Sequence, residues 1–200
     1  GLEHLYHHVE SVQAFGFEPV IAINRFADDS EADLAAIESG CREHGLSVAR
    51  FDGFSQGGAG GESLAGAVLE AAARPQPPVR YLYQLEETPE QKILAVASTI
   101  YGASEVLFGR GALKDLQRVR ELGYEKLPIC IAKTHLSLSS DPTRVGHPDG
   151  FELPVESVRI SAGAGYLLAL TGDIVTMPGL PARPAAQRID LSDEGEVLGV

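Results

Sequence analysis

Pro19-Val20-Ile21-Ala22-Ile23 runs straight into Asn24-Arg25-Phe26-Ala27-Asp28, and this stretch decides the reading of the chain. Five apolar residues in an unbroken run, too short for a helix, predict a buried strand of a parallel sheet. The run ends in a polar loop carrying one aromatic ring. In open α/β sheets ligands sit at the carboxyl ends of the strands. Asn24 and Phe26 therefore become candidate ligand residues. Asn24 can fix a loop or ligand through its amide, and Phe26 can either stack on a planar ligand or cap the core.

Outward from that strand the pattern repeats. Leu2, Leu5, Val9 and Val12 have helical spacing over residues 2–15. Ser30 caps a helix with Asp33 three residues on, and Gly45 closes it after His44. Leu46-Ser47-Val48-Ala49 is a second strand, followed by Phe54, the run Gly57-Gly58-Ala59-Gly60-Gly61, and an Ala-rich helix over residues 62–74. Helix, strand, helix, strand, helix is part of a doubly wound α/β sheet. Pro75-Gln76-Pro77-Pro78 is a linker signal, which divides the chain into residues 1–75 and 76–200.

The second part reads as a smaller α+β domain. Thr88 caps a helix with Pro89 at its first position, reaching Tyr101. A helix over 110–122, a strand over 128–132, a long polar loop over 137–150, a single alternating strand over 153–160 and an apolar strand over 166–170 follow. The tail from Arg183 is polar and expected to wrap the surface.

Composition bounds the chemistry. The 200 residues include 44% hydrophobic ones, enough for a core, and the formal net charge is −12. An acidic surface argues against nucleic acid as a partner, but leaves room for a local basic pocket. Cys41 and Cys130 make no disulfide framework or zinc site and read as buried thiols in a reducing cytoplasm. No apolar run approaches the roughly 20 residues of a membrane span. His4 and His8 are four apart on one helix without a third metal ligand in view.

Other candidates lie at loops. The Gly57 to Gly61 run lacks the Lys-Ser/Thr of a phosphate loop, so a turn permitting close backbone approach is the better reading. Lys133 and Thr134 follow a strand, where a Lys contacts phosphate or carboxylate or simply meets solvent. Thr171-Gly172-Asp173 is a Gly-bearing turn; Asp173 either coordinates through water or holds the loop.

Several long strings in order give a resemblance. Asn24-Arg25-Phe26, Ile100-Tyr101-Gly102-Ala103, Pro128-Ile129-Cys130-Ile131-Ala132-Lys133-Thr134, Ser161-Ala162-Gly163-Ala164-Gly165 and Leu170-Thr171-Gly172-Asp173-Ile174-Val175-Thr176-Met177-Pro178-Gly179-Leu180-Pro181 resemble formate–tetrahydrofolate ligase. That resemblance implies ATP-dependent joining of formate to tetrahydrofolate through formyl phosphate, with Mg²⁺, a monovalent cation (K⁺ or NH₄⁺) and a homo-oligomeric enzyme. It implies a pterin clamp of Phe26 and Phe54 with Asn24 beside it, and a nucleotide-pocket wall including Thr171, Gly172, Asp173 and Pro178. It also implies that residues 1–75 are the folate side of a phosphate-loop-type α/β domain whose loop belongs to an N-terminal part outside this chain. The start at Gly1, inside a helix, fits such a fragment, which alone would lack synthetase activity. The chain departs from the family pattern at Ala27, where Pro is common, at Phe54, where Trp is usual, and at His135-Leu136, where Gln-Tyr is usual. The alternative from the residues alone is a non-catalytic folate- or nucleotide-binding regulatory domain.

Overall fold

A computed structural model describes residues 1–75, 77–172, 174 and 182–199. It is an α/β structure of small sheets. In the first part, α1 (Leu2–Ala14) leads to β1 (Val20–Asn24), α2 (Glu31–Glu43), β2 (Ser47–Phe51), the single turn α3 (Gly53–Gln56), a 3₁₀ turn (Gly57–Gly61) and α4 (Glu62–Ala72). Strands β1 and β2 pair in parallel, with Val20 beside Ser47 and Asn24 beside Phe51.

The α2 start is as read: Ser30 Oγ accepts from the Asp33 amide at 3.1 Å. Helix α1 meets α2 over Gly40. A Cβ there would lie 2.7 Å from Leu2 Cδ1, so a larger residue would require the Leu2 side chain to move. Tyr6 Oη donates to the Gly40 carbonyl, and its ring stacks on His44 at 3.8 Å. The stripe of α1 differs from its apolar pattern: His7, Val9 and Ser11 are buried, while Val12 is exposed. The expected burial of β1 is also partial. Only Ile23 is buried, and Ala22 and Asn24 are exposed, because a pair of strands cannot cover both of its own faces.

The second part comprises α5 (Pro89–Tyr101), β3 (Ala103–Phe108), α6 (Arg110–Glu121), β4 (Ile129–Ala132), β5 (Phe151–Val155), β6 (Ser157–Ser161), β7 (Tyr166–Leu170), and a terminal hairpin of β8 (Asp190–Leu191) and β9 (Val197–Leu198). Strands β3 and β5 are parallel; β4, β7 and β6 form a second sheet in that order, parallel then antiparallel. The single strand expected over 153–160 is two strands in different sheets. The break falls at Glu156, whose amide turns to the Leu170 carbonyl at 2.8 Å. Pro154 is tolerated because β5 pairs only with β3. The polar tail carries the short exposed hairpin of β8 and β9.

Here the core is dense. Ile93, Ala112, Leu116, Val119, Val155, Val158, Leu167 and Ala169 form one buried cluster; Ala97, Ala103, Phe151 and Leu153 form another. Lys92 is buried beside them, its ammonium donating to the carbonyls of Leu85, Glu125 and Leu127 at 3.1, 2.6 and 2.9 Å. Three donors meet three acceptors. Cys41 is buried as expected, but Cys130 is exposed, since β4 lies at a sheet edge and alternates its faces.

The two parts touch through α1 and α5. His7 Nε2–H donates to the Ile100 carbonyl at 2.7 Å, and the Arg80 amide donates to the Phe15 carbonyl at 3.0 Å. Gln76 of the linker lies outside the described residues. No helix among the described residues is long and apolar enough to cross a membrane.

Candidate functional site

Parallel pairing brings the ends of β1 and β2 level. The Arg25 amide extends the ladder to the Phe51 carbonyl at 2.9 Å. Phe26 and Phe54 therefore leave neighbouring strand ends. Both are exposed, at 59% and 87%, so neither caps the core in the described chain. Both rings stay uncovered on the loops that follow two paired strands.

The backbone under each ring is held. The Phe26 amide donates to Asp29 Oδ2 at 2.8 Å, and the Asp29 amide returns to the Phe26 carbonyl at 3.2 Å. Arg25 pairs with Glu31 at 3.0 Å; Arg50 of β2 reaches Glu31 at 2.6 Å and Glu38 at 3.0 Å. The loop after β1 is thus tied to β2 by charge. A hydrogen bond from Arg50 holds the Glu31 carboxyl below its ordinary value.

Phe54 rides on α3. Asp52 precedes that turn, its Oδ2 accepting from Gln56 Nε2 at 2.8 Å, which holds the carboxyl below the usual range. Its amide donates to the Gly60 carbonyl at 3.0 Å. A Cβ on Gly60 would fall 2.1 Å from the Asp52 carbonyl oxygen. The glycine run therefore serves close backbone approach, the reading preferred from its composition. Asp52 Oδ1 is buried and has no partner among the described residues. Sequence reasoning passed over Asp52; its place between strand end and glycine run is the signal that could have found it.

A second group gathers at the ends of β4 and β7. The Thr171 amide and hydroxyl both donate to the Ala132 carbonyl, at 3.0 and 3.2 Å. Thr171 and Gly172 are thereby brought beside Lys133 and Thr134. Lys133 Nζ donates to the carbonyls of Thr134 and Ser137 and lies 5.0 Å from the centre of the Tyr101 ring. Burial lowers its ammonium below the ordinary lysine value. Asp173 and Pro178 lie outside the described residues. The aromatic pair and the Lys133 group belong to different sheets.

Among the described residues, no group of three or more His, Cys, Asp or Glu is arranged to hold a metal ion. The chemistry on offer is stacking, hydrogen bonding and positive charge.

Comparison with known proteins gives a consistent answer over the whole chain. The family model described as formate–tetrahydrofolate ligase matches residues 1–200. A formate–tetrahydrofolate ligase of Myxococcus xanthus (strain DK1622) is 51% identical over 205 residues, covering 100% of this chain and 37% of the relative. The enzymes of that name from Staphylococcus carnosus (strain TM300) and Staphylococcus aureus (strain JH9) are 40% and 41% identical over 200 residues, each covered to 36% of its length. The chain thus spans little more than a third of the curated relatives it matches.

Proposed function

This chain belongs to the formate–tetrahydrofolate ligase family, and we propose that it supplies the folate-holding side of an enzyme that joins formate to tetrahydrofolate at the cost of ATP. The observation that carries the reading is the pair of exposed rings, Phe26 and Phe54, on the level ends of β1 and β2. Two flat faces on held backbones suit a planar pterin between them, with the Asn24 amide alongside.

In the proposed reaction a formate oxygen attacks the γ-phosphorus of ATP and ADP leaves. N10 of the folate then attacks the formyl carbon and phosphate departs. The clamp contributes orientation: it fixes the amine relative to the mixed anhydride rather than moving a proton. The phosphate loop belongs to the remaining part of the longer protein, which would also provide most of the charge around Mg²⁺ and any monovalent cation. When bound, Mg²⁺ would neutralise the phosphate oxygens. Thr171, Gly172, Lys133 and Thr134, together with Asp173 and Pro178, are proposed as nucleotide or anion contacts. The full enzyme is proposed to be a cytoplasmic homo-oligomer, and this chain by itself to lack synthetase activity.

Replacing Phe26 with Ala in the full protein tests the clamp. Stacking worth about 1 kcal/mol converts to a tetrahydrofolate KM raised roughly fivefold, with the KM for ATP unchanged. An unchanged folate KM removes Phe26 from the site.

A further inference from the structure

A cavity of about 320 Å³ lies between α1 and the carboxyl end of β4. Its lining includes Lys133, His4, His8, His135 and the hydroxyl residue Thr134, and no carboxylate among the described residues. On a chain of net charge −12 such a lining is a local reversal of sign. We propose that this cavity binds a small oxyanion, a carboxylate or phosphate group, with Lys133 as a standing positive charge and the histidines as charges that appear on protonation. The inference rests on the anion contact proposed for Lys133 and Thr134 and is independent of the aromatic clamp.

The hydrogen-bond pattern says which nitrogens are available. His4 Nδ1 lies 2.8 Å from the Gly146 carbonyl, which can only accept, so Nδ1 carries a proton and Nε2 is left over. His7 Nε2 is committed to the Ile100 carbonyl, and His7 Nδ1 shares a hydrogen bond with His147 Nε2 at 3.1 Å. Both ring nitrogens of His7 are therefore occupied. His8 stacks obliquely on His4, ring centres 4.6 Å apart. Partial desolvation, then His4 and His7, lower its imidazole below the ordinary value.

Among the described residues no carboxylate lines the cavity to cancel this set, and Asp149 approaches His7 at Gly102 rather than the lining. Glu3 and Glu10 of α1 lie outside the lining. On the loop over residues 137–150, Asp141 turns Oδ1 to the amide and hydroxyl of Thr143, and Arg144 lies over the Phe151 ring. Tyr101 of α5 is kept protonated by burial. An anion entering the cavity would therefore meet Lys133 and whichever imidazoles accept a proton. Binding then draws a proton onto a lining imidazole, and affinity rises as pH falls.

The test is titration of the full protein with inorganic phosphate and, separately, with formate, following the histidine ring resonances at about pH 7.5 and about pH 6. Affinity should rise up to about tenfold per pH unit for each proton taken up. His8→Ala and His135→Ala, both on exposed rings, should weaken binding and flatten that dependence while the fold is kept. Phosphate binding that either substitution weakens identifies a phosphoryl ligand of this cavity and formate binding so weakened a carboxylate, whereas formate or phosphate held equally by both variants is held at the catalytic site. Binding of neither, or binding that both substitutions leave untouched, overturns it.

Discussion

The two parts of the chain are built to different standards. Residues 89–170 enclose two clusters of fully buried apolar side chains. Residues 1–75 bury only Val9, Ile23, Leu34, Cys41 and Ala49 among their hydrophobic residues, and α4 buries none of its residues. Yet the thinner part carries the two exposed rings. Close packing gives rigidity to the first region; charge ties and short turns hold the second. On the proposed reading, that uncovered apolar surface is what the ligand or the rest of the longer protein covers.

The largest effect that could break this contrast comes from paired truncations. Leu116→Ala opens a cavity at a fully buried site and should cost about 2–5 kcal/mol in denaturant unfolding. Leu69→Ala, on a side chain 71% exposed in α4, should fall within about 0.5 kcal/mol of zero. If Leu69→Ala in the full protein is as costly as Leu116→Ala, α4 is covered by residues beyond this chain and the contrast is one of partnership, not of packing.

Lys92→Met comes next. The substitution keeps the methylene stem but leaves the carbonyls of Leu85, Glu125 and Leu127 without their donor. Unpaired buried acceptors should cost about 1–3 kcal/mol. A neutral result, read by thermal unfolding, would mean that water reaches those carbonyls and that the dense part is less dry than its burial implies.

Helix caps sharpen the comparison at smaller amplitude, because the same chemistry occurs in both parts. Ser30 caps α2, and Thr88 caps α5 in a reciprocal box with Gln91. Each change to Ala should cost about 1 kcal/mol. Hydrogen exchange should report the Ser30 loss locally in α2 and the Thr88 loss across the whole cluster around Ile93. Identical patterns would mean one cooperative unit.

These contrasts were unevenly legible. The helices over residues 2–14, 31–43, 89–101 and 110–121 announced themselves by caps, glycine stops and apolar spacing. Strand β3 did not, since Ser104 and Glu105 interrupt its apolar run and only tertiary pairing with β5 makes it a strand. The division at Glu156 was hidden for a related reason: alternation persists through 153–160, and which sheet each half joins depends on Leu170 and Val155 accepting different amides. Of the residues proposed for the site, Phe26 and Phe54 stand out in the sequence because aromatic residues after strands are few. Asp52 and the histidine-lined cavity do not, because no spacing rule joins α1 to residues 133–135.

The smallest effect concerns acid, and it separates the parts by mechanism. Glu31 has its carboxyl lowered first by the hydrogen bond from Arg50, then by the charges of Arg50 and Arg25. A carboxyl depressed in the folded state adds stability above its unfolded value, about 4.3, and loses it as pH falls through the lower folded value. The tie between the β1 loop and β2 should therefore weaken below about pH 4.3, visible as rising solvent exchange at the Arg25 and Phe26 amides. Because Glu31 and Arg25 are well exposed, added salt should weaken the tie as well. Arg50→Gln should bring that exchange to neutral pH and remove its acid dependence, leaving the cluster around Leu116 unchanged. If the acid dependence survives Arg50→Gln, the loop is held by Asp29 and the backbone turn at Phe26 instead, and charge is not what positions the ring.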